Sequence, residues 1–180
     1  MNYTAYIGVG SNLGDRINNC TEALQILQEH KLIDVVKVSG WYEAQAENTQ
    51  GDVIEDQPSY VNGAAMINTD LSPEELLTTL LDTEVKLGRE RTRAKGKART
   101  VDLDLLLYGD EIRNSERLML PHPFLAKRLF VLKPLYDIAP EAVEPVEGRT
   151  VANLLNFCLS KGTANIPTRL DEPIDDEEGE

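Results

Sequence analysis

Residues 99–108 read RTVDLDLLLY, and this stretch decides how the chain folds and where its chemistry lies. Its alternation predicts a β-strand, because successive side chains of a strand point to opposite faces. One face would carry four apolar side chains, Val101, Leu103, Leu105 and Leu107. Asp102 and Asp104 would lie side by side on the other face, about 6.6 Å apart along the strand.

These two carboxylates form a candidate cation site. Mg²⁺ fits best, because it is commonly held by one or two carboxylates together with substrate phosphates. Directly upstream, residues 86–99 carry seven of the eighteen Lys and Arg side chains. An acidic pair beside a basic loop is the charge layout of metal-assisted phosphoryl transfer. Two simpler interpretations stay open here: a solvated strand face for the aspartates, and a solvated loop for the basic run.

The elements around this strand predict an α+β fold. Strands are expected over residues 4–10, 32–42, 59–69 and 101–108, with a helix after the first strand and another after the third. The order strand-helix-strand-strand-helix-strand is typical of the ferredoxin-like βαββαβ core. We therefore expect an antiparallel sheet with helices packed on one face. A hairpin over 111–120 and helices over 124–137 and 150–159 would form a helical C-terminal extension, and residues 43–57 would form a long loop.

The second helix has the clearest start signal. Ser72 precedes Pro73 and is followed three residues later by Glu75, the pattern of a capping box. Gly88 is expected to end this helix. Its predicted apolar stripe contains Leu77, Leu80, Leu81 and, as an interruption, Glu84. That carboxylate could lie at the helix edge or face the site.

Composition limits the classes of function. Of the net charge of −13, residues 171–180 contribute −7, because they hold seven acidic and no basic side chains. We expect these residues to form a disordered tail after a single domain over 1–170. An acidic surface argues against nucleic-acid binding. The sequence contains no apolar run long enough to predict a membrane-spanning helix, and the start of the chain does not resemble a secretory signal. Cys20 and Cys158 lack metal-ligand spacing, so we expect reduced buried thiols and a cytoplasmic protein.

Several motifs together resemble one family, the 6-hydroxymethyl-7,8-dihydropterin pyrophosphokinases. They are AYIGVGSNLG at 5–14, DQPSYVNGA at 56–64, RTVDLDLLLYG at 99–109, RLMLPHP at 117–123, RLFVLKPL at 128–135 and IAPE at 138–141. They occur in the family's order over about residues 4–150. The resemblance implies an ATP-dependent diphosphotransferase of folate biosynthesis, which transfers pyrophosphate to the hydroxymethyl group of the pterin and releases AMP.

The resemblance also implies roles for individual residues. Asp102 and Asp104 would hold two Mg²⁺ ions on the ATP triphosphate, and Arg89 and Arg99 would contact its phosphates or the transition state as catalytic residues. The ATP side would be lined by Glu84, Arg117, His122 and Arg128. The pterin would be held by Tyr60, Asn62 and Phe130, with Phe130 stacking and Asn62 hydrogen-bonding. From the residues alone, His122 could equally be structural, and Arg117 and Arg128 could be surface side chains.

Two loops depart from the family's pattern. The usual Tyr-x-Thr-x-Pro-x-Gly is replaced by YEAQAEN at 42–48, and the usual Trp-Gly-Pro-Arg is replaced by GKAR at 96–99. Because both loops would adjoin the pterin, two alternatives remain: a related pyrophosphokinase that acts on a different small alcohol, and a non-catalytic nucleotide-binding module. The presence of the family's metal and ATP residues argues against the non-catalytic module; these residues are Asp102, Asp104, Arg99, His122 and Arg128.

Overall fold

The computed structural model describes residues 1–88 and 100–170. In chain order its elements are β1 (Tyr3–Ser11), α1 (Arg16–Gln28), β2 (Ile33–Val38), β3 (Trp41–Ala44), β4 (Tyr60–Thr69), α2 (Pro73–Lys86), β5 (Asp102–Tyr108), β6 (Arg113–Asn114), β7 (Met119–Leu120), α3 (Leu129–Ile138), β8 (Val143–Glu144), β9 (Arg149–Thr150), α4 (Val151–Ser160) and β10 (Thr168–Leu170).

One antiparallel sheet organises the molecule, and it confirms the predicted ferredoxin-like core. Strand β1 lies between β4 and β5, and both β2 and β3 pair with β4. The single strand predicted over 32–42 is thus two strands, separated at Ser39 and Gly40. The Ser39 hydroxyl accepts a hydrogen bond from the Ala64 N–H at 2.8 Å, which keeps the interruption attached to β4.

The helices cover both faces of the sheet. Helices α1 and α2 bury one face in a cluster that includes Ile7, Leu27 and Leu80. Helices α3 and α4 bury the other face in a second cluster, which includes Leu132 and Leu154. The expectation that helices pack on one face is therefore incomplete, because the C-terminal extension closes the opposite face. Burial of both faces removes more apolar surface from water than a one-sided sheet could.

Strand β5 follows the predicted alternation only over its first half. Val101, Leu103 and Leu105 belong to the α1/α2 cluster, as expected. The pairing with β1 then shifts, since Ile7 pairs with Leu105 but Tyr6 pairs with Leu107. Such a bulge moves the next side chains to the other face. The placement of Leu107 beside Leu105 was therefore wrong, because Leu107 packs in the α3/α4 cluster.

Helix α2 begins at the predicted capping box. The Ser72 hydroxyl accepts from the Glu75 N–H, and the Glu75 carboxylate accepts from the Ser72 N–H at 2.8 Å. Gly88 follows the helix with a φ of 95°, a conformation that suits glycine. The buried face differs from the predicted stripe: it is formed by Leu76, Leu80, Thr83 and Glu84, while Leu81 is 40% exposed.

The C-terminal half agrees with the sequence in outline. Strands β6 and β7 form the predicted hairpin, and α4 matches the helix predicted over 150–159. Helix α3 begins only at Leu129, after a run of turns from Phe124. Strand β10 was not predicted and pairs with β3 at the edge of the sheet. In the described ranges, no helix is long and apolar enough to cross a membrane.

Candidate active site

A row of paired residues crosses four strands, and its members Asp102, Gly10 and Asn62 form the floor of the site. Asp102 on β5 pairs with Gly10 on β1, Gly10 pairs with Asn62 on β4, and Asn62 pairs with Tyr42 on β3. Asp102 and Asn62 are thus two strands apart, about 10 Å. A Cβ atom on Gly10 would approach Asn62 Oδ1 to 3.2 Å. Glycine therefore keeps the floor open between a carboxylate and an amide.

A cavity of about 470 Å³ lies above this floor. Its walls come from the sheet, from the loop that follows β3 and from the segment that leads into α3. The volume is in the range of small-molecule sites. Seven of the predicted site residues line it together, Tyr60, Asn62, Asp102, Asp104, His122, Arg128 and Phe130.

His122 is held with one ring nitrogen toward the carboxylates. Its Nδ1 accepts a hydrogen bond from the Phe124 N–H at 3.2 Å, so the neutral ring carries its proton on Nε2. Nε2 lies 3.8 Å from Asp104 Oδ1. Burial, and then the nearby Arg128 charge, lower the pKa of His122 to about 4, and Asp102 only partly opposes this effect. The imidazole is therefore a neutral N–H donor at neutral pH.

Asp102 and Asp104 have the chemistry of a site for a substrate-borne cation. Both are partly exposed and line the cavity, and the Asp104 side chain is 43% exposed. Among the residues that the structure describes, no group of three or more His, Cys, Asp or Glu side chains could hold a metal ion. Two carboxylates that open onto a cavity nevertheless fit Mg²⁺, because this ion usually completes its shell with water and substrate phosphates.

Arg128 joins two walls of the cavity. Its guanidinium carbon lies 4.2 Å from the centre of the Phe124 ring and 5.4 Å from that of Phe130. Its Nη2 also donates to the Asn48 carbonyl at 3.4 Å. Stacking on the aromatic rings orients the guanidinium, and its charge also acts on the Glu47 carboxylate in the neighbouring wall. The Arg128 charge can therefore face an anionic ligand in the cavity.

The Asn62 amide offers a buried hydrogen-bond donor to a ligand in the cavity. Its Nδ2 atom is buried and has no hydrogen-bond partner among the described residues. A buried donor without a partner costs about 1–3 kcal/mol. Because Asn62 lines the cavity beside Tyr60 and Phe130, a bound molecule with an acceptor atom would remove this cost.

The loop after β3 forms a wall that sequence reasoning did not resolve. Gln45, Ala46 and Glu47 line the cavity, and the Ile54 N–H donates to the Ala46 carbonyl at 2.8 Å. Burial raises the pKa of Glu47 above its ordinary value. Phe124 and the floor glycines Gly8 and Gly10 were also missed as site residues. For the loop, its length without periodicity was the only available signal.

Two predicted ATP residues do not line the cavity. Glu84 is 1% exposed, and its carboxylate accepts a hydrogen bond from the Leu103 N–H at 2.7 Å. Arg117 donates from Nη2 to the Thr78 hydroxyl at 2.7 Å. Both contacts join α2 to its neighbours. Arg89 and Arg99, with the rest of the basic loop at 89–99, lie outside the described residues, as does the tail at 171–180.

Comparison with known proteins gives consistent matches. The family model of 7,8-dihydro-6-hydroxymethylpterin-pyrophosphokinase matches residues 6–140. The 2-amino-4-hydroxy-6-hydroxymethyldihydropteridine pyrophosphokinase of Synechocystis sp. is 41% identical over 84% of this chain and 74% of its own. The protein of the same name from Haemophilus influenzae is 42% identical over 79% of this chain and 85% of its own.

A solved structure shares the fold. A triple mutant of the HPPK-DHPS protein of Plasmodium falciparum superposes with a TM-score of 0.68 at 16% identity, over 93% of this chain. The present chain spans 46% of that protein, so it corresponds to less than half of its length. At this identity the likeness concerns the fold alone.

Proposed function

Because the chain belongs to the 7,8-dihydro-6-hydroxymethylpterin-pyrophosphokinase family, we propose that the cavity on the sheet binds ATP and the pterin side by side. The chain transfers pyrophosphate from ATP to the hydroxymethyl group of 6-hydroxymethyl-7,8-dihydropterin and releases AMP, in folate biosynthesis. One observation carries the assignment of the cavity: paired carboxylates, and an amide donor with no partner among the described residues, open onto it from either side of Gly10.

The carboxylate side suits the phosphates of ATP. Asp102 and Asp104 would hold Mg²⁺, two ions by analogy with the family, and the bound metal would neutralise charge on the triphosphate. His122 would donate from Nε2–H to a phosphate oxygen, and Arg128 would add a positive charge. Arg89 and Arg99 are assigned to the phosphates by family resemblance.

Two further ATP assignments rest on resemblance alone. Glu84 and Arg117 correspond to family residues on the ATP side, but their hydrogen bonds to Leu103 and Thr78 give them structural roles in the described chain. The contacts of ATP with these two side chains stay predictions.

The Asn62 side suits the pterin. The ring carries hydrogen-bond acceptors, one of which would accept from Asn62 Nδ2. Phe130 would stack on the flat ring, and Tyr60 would line the same slot. Burial of a ring between these side chains would hold the hydroxymethyl group over Gly10, toward the phosphates.

Catalysis in this arrangement depends on alignment and charge. The hydroxymethyl oxygen attacks the β-phosphorus, a new O–P bond forms, the bond from that phosphorus to the AMP oxygen breaks, and the hydroxyl proton is released. Phosphoryl transfer needs positioning and charge stabilisation more than covalent chemistry from the protein. The floor separates the two binding sides by about 10 Å, which leaves room for a triphosphate and an alcohol to meet. No obvious general base is assigned.

Three finer points belong to the same proposal. Residues 1–170 would form one catalytic domain, and residues 171–180 would form an acidic tail. We expect a cytoplasmic protein that binds no nucleic acid. Its two thiols would stay reduced, because both are buried and neither forms a disulfide.

The experiment is a turnover assay with purified protein, ATP, Mg²⁺ and the reduced pterin. AMP and the pterin diphosphate are expected in equal amounts, and AMP should not form without the pterin. Mg²⁺-dependent ATP binding without AMP formation would favour a different small alcohol as acceptor. Absence of Mg²⁺-dependent ATP binding would contradict both the diphosphotransferase and the related-enzyme alternative.

A further inference from the structure

The segment that follows α4 reaches back to the cavity wall through one buried side chain. Asn165 is 9% exposed and lies beyond the residues that the family model matches. Its Oδ1 accepts from the Gln45 N–H at 3.1 Å, and its Nδ2 donates to the Gln45 carbonyl at 3.0 Å and to Glu47 Oε1 at 2.7 Å. One amide therefore satisfies three polar groups that are 118–120 residues away.

These three groups belong to the pterin side of the cavity. Ala44 pairs with Tyr60 at the end of β3, and the chain continues directly into Gln45 and Glu47, which line the cavity. The loop is held elsewhere by the bond from Ile54 to Ala46 and by the contact of Arg128 with Asn48. Asn165 therefore holds the section of the wall that continues from Ala44, the pairing partner of Tyr60 in the predicted pterin slot.

The wall has a specific need for this partner. The Glu47 carboxylate is partly buried, so it depends on hydrogen bonds to remain in the wall. Without Asn165, both backbone groups of Gln45 would also lose a partner. An unpaired polar group favours conformations that expose it to water. We expect the wall to move out of position when the amide is removed.

Strand β10 holds Asn165 in this place. It pairs with β3 in antiparallel register, with Thr168 opposite Glu43, Arg169 opposite Tyr42 and Leu170 opposite Trp41. The Arg169 guanidinium also lies 3.8 Å from Asp137 on α3 and packs over the Tyr42 ring. The C-terminal segment is thus attached to the sheet independently of Asn165.

We infer that Asn165 is a positioning residue, which holds Gln45 and Glu47 in the shape that binds the pterin. This inference rests on the proposed function for its substrate, but the hydrogen-bonded wall can be tested separately. The C-terminal segment thereby contributes to a site whose other residues lie within 6–140, the range that the family model matches.

The test compares Asn165→Ala and Asn165→Asp with a control, Arg169→Ala. Asn165→Asp keeps the size of the side chain and the acceptor for the Gln45 N–H, so it should disturb folding less than Asn165→Ala. It still loses both bonds that the amide donates. Arg169→Ala removes the side-chain contacts of the same strand with Asp137 and Tyr42, and it leaves the backbone pairing of β10 with β3 and the contacts of Asn165 in place. Amide hydrogen exchange over residues 45–54 is measured together with kcat and with KM for each substrate.

Both Asn165 variants should exchange at least about tenfold faster over 45–54 and raise KM for the pterin about tenfold, with KM for ATP nearly unchanged. Arg169→Ala should change neither. Unchanged exchange in the Asn165 variants, equal increases in both KM values, or the same effect from Arg169→Ala would each overturn the inference. If the wild type forms no AMP, the proposed function fails, and the exchange result still decides whether Asn165 holds the wall.

Discussion

At the scale of single residues, the site combines charged and polar groups that a ligand would contact. Asp102 and Asp104 place two negative charges on one strand face. Asn62 has a buried amide donor without a partner among the described residues. The cost of such a donor is typical of functional sites, because a ligand offsets it. Removal of the Asn62 amide should therefore affect stability and activity in opposite directions.

The aspartates give the first prediction. Asp102→Asn or Asp104→Asn should reduce kcat/KM at least about 100-fold, because each removes a charge that would hold the metal on ATP. The protein should stay folded, because both side chains open onto the cavity and neither belongs to a hydrophobic cluster. Steady-state AMP formation and urea unfolding measure the two effects.

The control for this prediction is Asp110→Asn, which changes an exposed carboxylate just after the same strand. Its kcat/KM should match that of the wild type. Full activity in Asp102→Asn would show that the metal assignment is wrong.

Asn62 gives the second prediction. Asn62→Leu replaces the amide with an apolar side chain of similar size, so it removes the unpartnered donor. The free energy of unfolding should rise by up to about 2 kcal/mol, while KM for the pterin should increase more than about tenfold. Urea unfolding and initial-rate kinetics with varied pterin measure these quantities. A loss of stability together with unchanged pterin KM would contradict the role of Asn62.

At the scale of elements, local geometry decides which face each side chain occupies. The bulge in β5 comes after Leu105, so it leaves the aspartates in their predicted alternation and redirects only Leu107 and Tyr108. Elsewhere in the sheet, Ser39 and Gly40 separate β2 from β3. Directly after these two residues, the Trp41 ring lies close to Gly63 of β4.

That contact gives the third prediction. A Cβ atom on Gly63 would come within 2.7 Å of Trp41 Cε3, which a rigid ring cannot accommodate without a shift. Gly63→Ala should therefore lower the free energy of unfolding by about 1–3 kcal/mol. Urea unfolding measured by circular dichroism and by fluorescence is suitable, because Trp41 is the only tryptophan.

A double-mutant cycle isolates the clash. In a Trp41→Leu background the smaller side chain leaves room for the new methyl group, so Gly63→Ala should cost less there than in the wild type. Equal costs in the two backgrounds would mean that another contact of Gly63 is responsible.

At the scale of the whole molecule, the two helical layers bury one thiol each. Cys20 lies in the α1/α2 cluster and Cys158 in the α3/α4 cluster. Burial raises the pKa of Cys20 to about 12 and also raises that of Cys158. Because the thiolate is the reactive form, both thiols are protected while their layer is intact.

Thiol labelling gives the fourth prediction. At pH 8 a disulfide-exchange reagent should react with neither thiol of the native protein beyond a few per cent, and with both in denaturant. The comparison of Cys20→Ser with Cys158→Ser assigns each rate to one layer. If one thiol reacts rapidly in the native protein, that layer opens without global unfolding.

The sequence by itself determined the parts of this protein that depend on neighbours in the chain. Alternation predicted β4 and the first half of β5 with its aspartates, and the capping signal at Ser72 predicted the start of α2. The resemblance of short motifs predicted the family and seven residues that line one cavity. Local patterns suffice here, because strand faces and helix caps are set by residues within a few positions.

Only the tertiary structure decided the features that join distant segments. The β5 bulge, the second helical layer, the glycine floor and the hold of Asn165 on Gln45 depend on contacts across the sheet or across more than a hundred residues. A side chain that pairs with such a distant partner carries no periodic signal of its own. Its role emerges only when folding brings the two segments together and excludes water from between them.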